Sequence, residues 1–175
     1  NTMVERVGKA GEEIERLAYT DHVTGQPNRE RLQSVAGPIL EDGRDLCRGG
    51  VVILVDLDNF KEINDFHGHH AGDMHLRSCA HTLLEVTERF TADAPTPDRP
   101  FAAPIVARIG GDEFIVLIQG VFDDVAIRSF LHDILTALAV PNPELSITPS
   151  ASIGCARFPE DGTDLENLTK RADIA

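Results

Sequence analysis

Three cysteines in 175 residues, Cys47, Cys79 and Cys155, are too few and too widely spaced for a disulfide framework, and no Cys-x-x-Cys pair is present to hold zinc. That usage suits a reducing cytoplasm. No apolar run approaches the roughly 20 residues of a membrane span. Residues 1–20 are charged and lack the apolar core of a secretory leader. Basic residues are scarce: 16 Lys and Arg stand against 29 Asp and Glu, for a formal net charge of −13. Such a surface repels nucleic-acid polymers and anionic membranes. It also repels a nucleotide triphosphate, unless divalent cations and a few placed basic groups intervene. His67, His69, His70 and His75 cluster, but without a second ligand group at metal spacing they fit loop and helix-start roles better than zinc.

What is present is a chain 42% hydrophobic, with no internal repeat and a length that suits one domain with its own core. Its first residue is Asn rather than Met, which reads as a piece of a longer protein. Val4, Val7, Gly11, Ile14 and Ala18 recur at three- and four-residue steps, predicting a helix over 2–19, either the end of a coiled coil or a simple amphipathic helix. Residues 21–28 read as a polar turn, 29–40 as a helix and 42–50 as a loop. Val51 to Val55 is an unbroken apolar run, expected of a strand buried on both faces and ending at Asp56. A short helix or turn follows over 59–66, then a histidine-rich loop bracketed by Gly68 and Gly72, then a longer helix over 73–90. Four prolines make 91–104 an irregular connection. Beyond it the pattern predicts a helix over 125–140, a strand region over 147–158 broken at Pro149, and a last helix from Leu165. Strands alternating with helices in this order predict an α+β fold: a central, mostly antiparallel sheet flanked by helices.

Residues 108–114 read Arg-Ile-Gly-Gly-Asp-Glu-Phe between two runs rich in β-branched residues, the pattern of a hairpin whose glycines turn the chain. Its acidic tip is open to two readings, an exposed type I′ turn with solvated acids or a holder for a metal ion. Asp56, at the end of a core strand, needs a partner, because an unpaired buried carboxylate is very costly. If the sheet sets it beside the tip, Asp56, Asp112 and Glu113 converge, and hard oxygen donors favour Mg²⁺ or Mn²⁺.

Gly110 to Phe114 resembles the signature of the GGDEF family, the diguanylate cyclases. Asp56 to Lys61 resembles that family's D-x-D-x-F-K segment, and Asn64-Asp65, Gly68-His69 and Gly72-Asp73 its N-D-x-x-G-H-x-x-G-D pattern. Asp21, Thr24-Gly25 and Pro27-Asn28-Arg29 resemble its D-x-L-T-G-L-P-N-R opening, with Val23 and Gln26 in place of leucines. Ser152-Ile153-Gly154 and Ala172-Asp173 resemble later landmarks. The resemblance implies a linker helix over 1–18 and a GGDEF domain over 19–175. The implied fold is palm-like, as in adenylate cyclases and polymerases, and the implied reaction joins two GTP into cyclic di-GMP across a homodimer. Metal ligands would be Asp56, the Leu57 carbonyl, Asp112 and Glu113, holding two Mg²⁺ or Mn²⁺ per site. Asp112 and Glu113 would serve catalysis together with Lys61. Phe60, Lys61, Asn64, His69 and Asp73 would bind the nucleotide, although for Asp73 a helix-cap role is also open. An upstream sensor and, from the look of residues 173–175, a downstream EAL domain would accompany it in the cytoplasm. The family's product-inhibition motif, R-x-x-D, falls on Phe101 and Pro104, which implies no such inhibition. The chain stops at Ala175, ahead of a Lys and an Arg that the family places on the triphosphate. A GTP-binding regulatory module without catalysis is therefore the alternative.

Overall fold

The computed structural model describes residues 15–45, 48–92, 101–141 and 149–174. The apolar run expected to be a core strand is β1 (Gly50–Leu57), and it lies inside a four-stranded antiparallel sheet. Its neighbours are β3 (Glu113–Gln119) on one side and β4 (Ala151–Phe158) on the other, with β2 (Ile105–Gly110) beyond β3. The hairpin reading of the glycine-rich segment is thus met by β2 and β3.

Both faces of β1 are covered, which is why its sequence does not alternate. Val51, Ile53, Val55 and Leu57 meet Phe114, Val116 and Ile118 under two helices, α3 (His69–Ala92) and α4 (Asp124–Leu138). Val52 and Leu54 meet Ile115 and Leu117 under α1 (Arg29–Asp45) and α5 (Leu165–Ile174). The short α2 (Phe60–His67) leads from β1 to α3. Asp123 caps α4, its carboxylate accepting from the Ala126 N–H at 2.7 Å.

Several boundaries differ from expectation, each for a packing reason. α1 runs through Pro38 to Asp45 instead of giving way to a loop at 42. Ile39 and Leu40 are buried there, and Gly43 lies so close to Phe158 that a Cβ would come within 2.8 Å of its ring. That contact outweighs the proline. The histidine-rich loop between Gly68 and Gly72 is the first turn of α3, because Gly68 at φ 82° ends α2 and lets α3 start at once. Asp73 is therefore the fifth residue of a helix and not its cap. β4 starts at Ala151, two residues past Pro149. Of the helix expected over 2–19, residues 15–19 are helical and the rest lies outside the described residues. Residues 46–47, 93–100 and 142–148, which carry parts of the expected connections and of the 147–158 strand region, also lie outside them.

Candidate active site

Strand register brings the acids together. Asp56 is the seventh residue of β1, not a residue beyond the strand, since it opposes Glu113 on one side and Ser152 on the other. The next residue, Leu57, donates its N–H to the Asp112 carbonyl at 3.2 Å. The carboxyl end of β1 thus abuts the hairpin tip. Directly opposed residues share a face, so Asp56 and Glu113 project to the side that carries α1 and α5.

The tip is a two-residue loop, Gly111-Asp112, because Gly110 still pairs with Glu113. Of its two central residues only Gly111 has positive φ, at 47°. A type I′ turn needs both, so the I′ reading is incorrect; positive φ at the first position alone is the II′ requirement, which suits Gly followed by Asp.

Burial, then the charges of Asp112, Glu113, Asp58 and Asp173, hold the Asp56 carboxyl above its ordinary value of 3.8. Ser152 moderates the crowding on one flank, its hydroxyl donating to Asp58 Oδ1 at 2.8 Å. Among the described residues no three His, Cys, Asp or Glu side chains are already gathered at ligand spacing. The acids are neighbours by register, and each opposes the charge of Asp56. Two carboxylates about 4 Å apart repel by roughly 4 kcal/mol at an effective dielectric of 20, and a divalent cation reverses the sign. All-oxygen donors fit Mg²⁺ or Mn²⁺, with Asp56, Asp112 and Glu113 as side-chain donors. The Leu57 side chain is buried, so that residue offers only its backbone.

Past β1 the chain turns at Asn59, whose φ of 58° is one that Asn tolerates. Asn59 makes no side-chain capping bond, which leaves the first amides of α2 open toward an anion. Lys61 is exposed in that first turn, without an ion pair among the described residues. Phe60 is half-buried, its ring 6.5 Å from that of His75. A Cβ on Gly72 would sit 2.2 Å from Asn64 Oδ1, so the bare glycine lets the Asn64 amide lie against α3 beside Asp73. Asn64 and Asp73 are both half-buried, whereas His69 is exposed at the first position of α3. His75, by contrast, is a core residue: burial holds its imidazole below the ordinary 6.5.

Asp21 and Arg108 stand in the motifs without a role that the residues alone assign. In the structure Arg108 Nη1 donates to Asp21 Oδ1 at 3.0 Å and Oδ2 at 3.1 Å, with side chains only 12% and 15% exposed. Arg108 Nε and Nη2 donate to the Gly111 carbonyl at 3.0 and 2.7 Å. The turn over 20–28 is in this way bolted to the hairpin tip. A basic residue two positions before the signature and an acid in the opening turn are the available signal. Burial alone would raise the Asp21 carboxyl, but the Thr24 N–H and hydroxyl and the Arg108 guanidinium outweigh it and hold it below 3.8. Arg108→Ala is expected to destabilise the domain by about 1.5–3 kcal/mol, the worth of hydrogen bonds to a charged group, since Asp21 keeps its two bonds from Thr24. The sign with pH follows: a depressed carboxyl contributes stability above the ordinary carboxylate range and loses it as pH falls through the folded value. Urea midpoints measured from pH 3 to 7 therefore fall more steeply on the acid side in the parent than in Arg108→Ala.

Among the described residues no helix is long and apolar enough to cross a membrane. Residues 18–175 match the family model described as diguanylate cyclase, GGDEF domain. The signaling protein YkoW of Bacillus subtilis is 36% identical over 95% of this chain, which spans 20% of that protein. The bifunctional diguanylate cyclase/cyclic di-GMP phosphodiesterase MucR of Pseudomonas aeruginosa is 32% identical over all of this chain, which spans 24% of it. This chain thus spans about a fifth to a quarter of these curated relatives. The solved GGDEF domain of TpbB from Pseudomonas aeruginosa superposes with a TM-score of 0.74 at 28% identity, covering 89% of this chain and 85% of that one. With the antiparallel palm-like sheet, the acidic hairpin and the match over 18–175 in agreement, the chain belongs to the GGDEF family of diguanylate cyclase domains.

Proposed function

We propose that two copies of this domain condense two GTP into cyclic di-GMP and release two pyrophosphates. The observation that carries the reading is the register that sets Asp56 against Glu113 and Leu57 against Asp112, beside the open amides of α2. Asp73 accepts from guanine N1–H and the 2-amino group, donors that adenine lacks, while the Asn64 amide addresses O6 and N7. The amides from Asn59 to Lys61 and the Lys61 ammonium hold the phosphates, the Asp58 N–H being engaged by the Ser150 carbonyl at 3.0 Å, and Lys61 offsets charge as the leaving pyrophosphate departs. His69 lies at the edge of this pocket. Asp56, Asp112, Glu113 and the Leu57 carbonyl would hold two Mg²⁺ or Mn²⁺. When bound, the ions neutralise phosphate charge and acidify the attacking hydroxyl.

Asp112 helps take the proton from the 3′-hydroxyl of one GTP. That oxygen attacks the α-phosphorus of the GTP on the partner domain, one phosphoester bond forms, and the bond to pyrophosphate breaks. The reciprocal attack closes the ring, so dimerisation is part of the mechanism. The domain acts in the cytoplasm, coupled to a sensor upstream and to an EAL domain downstream, a reading that the bifunctional diguanylate cyclase/cyclic di-GMP phosphodiesterase among its relatives supports.

The test is incubation with GTP and Mg²⁺ at concentrations that permit dimers, followed by chromatography for cyclic di-GMP. Product supports the enzyme; GTP binding without product identifies a regulatory module instead. Feedback through the family's inhibitory position is absent on this reading. Phe101 lies under the Arg48 guanidinium, 4.7 Å from it, and neither Phe101 nor Pro104 can pair with guanine or phosphate. Added cyclic di-GMP is expected to leave the initial rate unchanged until it competes with GTP itself. A noncompetitive fall in rate would refute this.

A further inference from the structure

We infer that Arg77 is a positioning residue for the guanine pocket, an inference that rests on the cyclase reading. Arg77 is on the exposed side of α3, and its Nε donates to the Val23 carbonyl at 2.9 Å, across 54 positions of sequence. Asp73 is four residues earlier. Residues at that spacing are neighbours on one helix face, roughly 6 Å apart along the axis. Arg77 therefore ties the turn over 20–28 to the stretch of α3 that presents the base-reading carboxylate.

Two apolar residues are joined to the turns of α3 on which Asp73 stands. Val23 is held through its carbonyl by Arg77, and the Phe60 ring stacks on that of His75 at 6.5 Å. Both are half-buried against the cluster to which α3 contributes Leu76 and Cys79. A purine read at its edge by Asp73 needs an apolar wall along its face, and these side chains supply one. Phe60 is fixed by the start of α2. Val23 stands in a turn without regular structure, so its place depends on what the turn is fastened to.

That turn has two arginine anchors on different elements. Arg108, from β2, holds Asp21 and the Gly111 carbonyl beside the metal-binding acids. Arg77, from α3, holds Val23 beside the base reader. Loss of Arg108 loosens the turn at the reacting end, whereas loss of Arg77 loosens it at the recognition end. The two variants are therefore expected to differ in kinetics.

The experiment compares the parent, Arg77→Gln and Arg77→Lys, with Arg108→Ala alongside. It measures the Kd for GTP in Mg²⁺ by calorimetry, KM and kcat for cyclic di-GMP formation, the preference for GTP over ITP (which lacks the 2-amino group), and the melting temperature. Arg77→Gln is expected to raise Kd and KM about 5- to 10-fold, with kcat within about twofold, the pattern of lost ground-state binding. The GTP-over-ITP preference shrinks, because Asp73 no longer meets a base held flat against its wall. Arg77→Lys, which keeps a charged donor on a longer stem than Gln, recovers part of each. Unchanged Kd and GTP preference in Arg77→Gln would overturn the inference alone. So would a parallel fall of kcat and melting temperature with the GTP preference intact, which marks a merely structural role. A parent that binds no GTP would sink the cyclase reading and this inference with it.

Discussion

Asp56→Asn is expected to abolish cyclic di-GMP formation and, in EDTA, to raise the melting temperature. Both effects have one source. Asp56 is held at the end of a core strand, with burial and then Asp112, Glu113, Asp58 and Asp173 all opposing its charge. β1 and β3 put the acids there by backbone pairing, so the side chains cannot all move apart. Replacing one carboxylate with a neutral isostere removes several repulsions at once. Solvent reaches this end of the sheet and screens them, which brings the gain to about 1–2 kcal/mol, or roughly 2–8 °C for a domain of this size. Mg²⁺ supplies the same relief to the parent, so the parent melts higher in Mg²⁺ than in EDTA, while Asp56→Asn gains much less. Activity falls by a factor on the order of 10³ or more, because hard carboxylate donors are lost where phosphate charge must be neutralised. Melting scans with and without Mg²⁺, beside product chromatography, check all of this. A variant that is less stable in EDTA, or that still makes product, refutes the metal nest.

How much of this was legible in the residues varies with the kind of signal. The apolar run at 51–55 announced a central strand because burial on both faces leaves no alternation to misread. The glycine pair at 110–111 announced the hairpin because positive φ has few other solutions. Those two elements place Asp56 beside Asp112 and Glu113, so the heart of the site followed from local pattern plus one pairing. The missing pieces were set by contacts remote in sequence. α1 continues through Pro38 because Gly43 meets Phe158, and nothing near residue 43 says so. Gly68 and Gly72 looked like loop residues, yet one ends a helix and the other is the flat spot against which Asn64 packs. Arg108 and Arg77 act on backbone carbonyls and on Asp21, and an arginine's carbonyl partner leaves no trace in composition or periodicity. Roles for Lys61, Asn64 and Asp73 come from resemblance, and the geometry adds that the Asn64 amide packs on bare Gly72, next in sequence to Asp73.

Gly154→Ala is the second large expected effect, and the larger one on stability. Gly154 of β4 opposes Leu54 of β1 and faces α5. A Cβ built on it would lie 1.6 Å from the Ala172 carbonyl oxygen and 2.6 Å from its carbon. Both obstacles are backbone, so no rotamer change relieves the clash, and α5 must lift bodily from the sheet. Lifting it withdraws Leu168 and Ala172, which are 0% and 1% exposed, from the core they share with Val52 and Ala156. The combined strain and lost burial come to about 3 kcal/mol or more, a fall in melting temperature of at least roughly 6–12 °C. Asp173, next along α5, adds its charge to those around Asp56, so displacing the helix also reaches the site. A methyl group on the face of β4 that carries α5 thus weakens both the fold and the metal-dependent rise in melting temperature. Urea denaturation with and without Mg²⁺ separates the two losses. A Gly154→Ala protein with parental stability would mean that α5 does not rest on bare backbone, and the link from β4 through α5 to the acids would be lost.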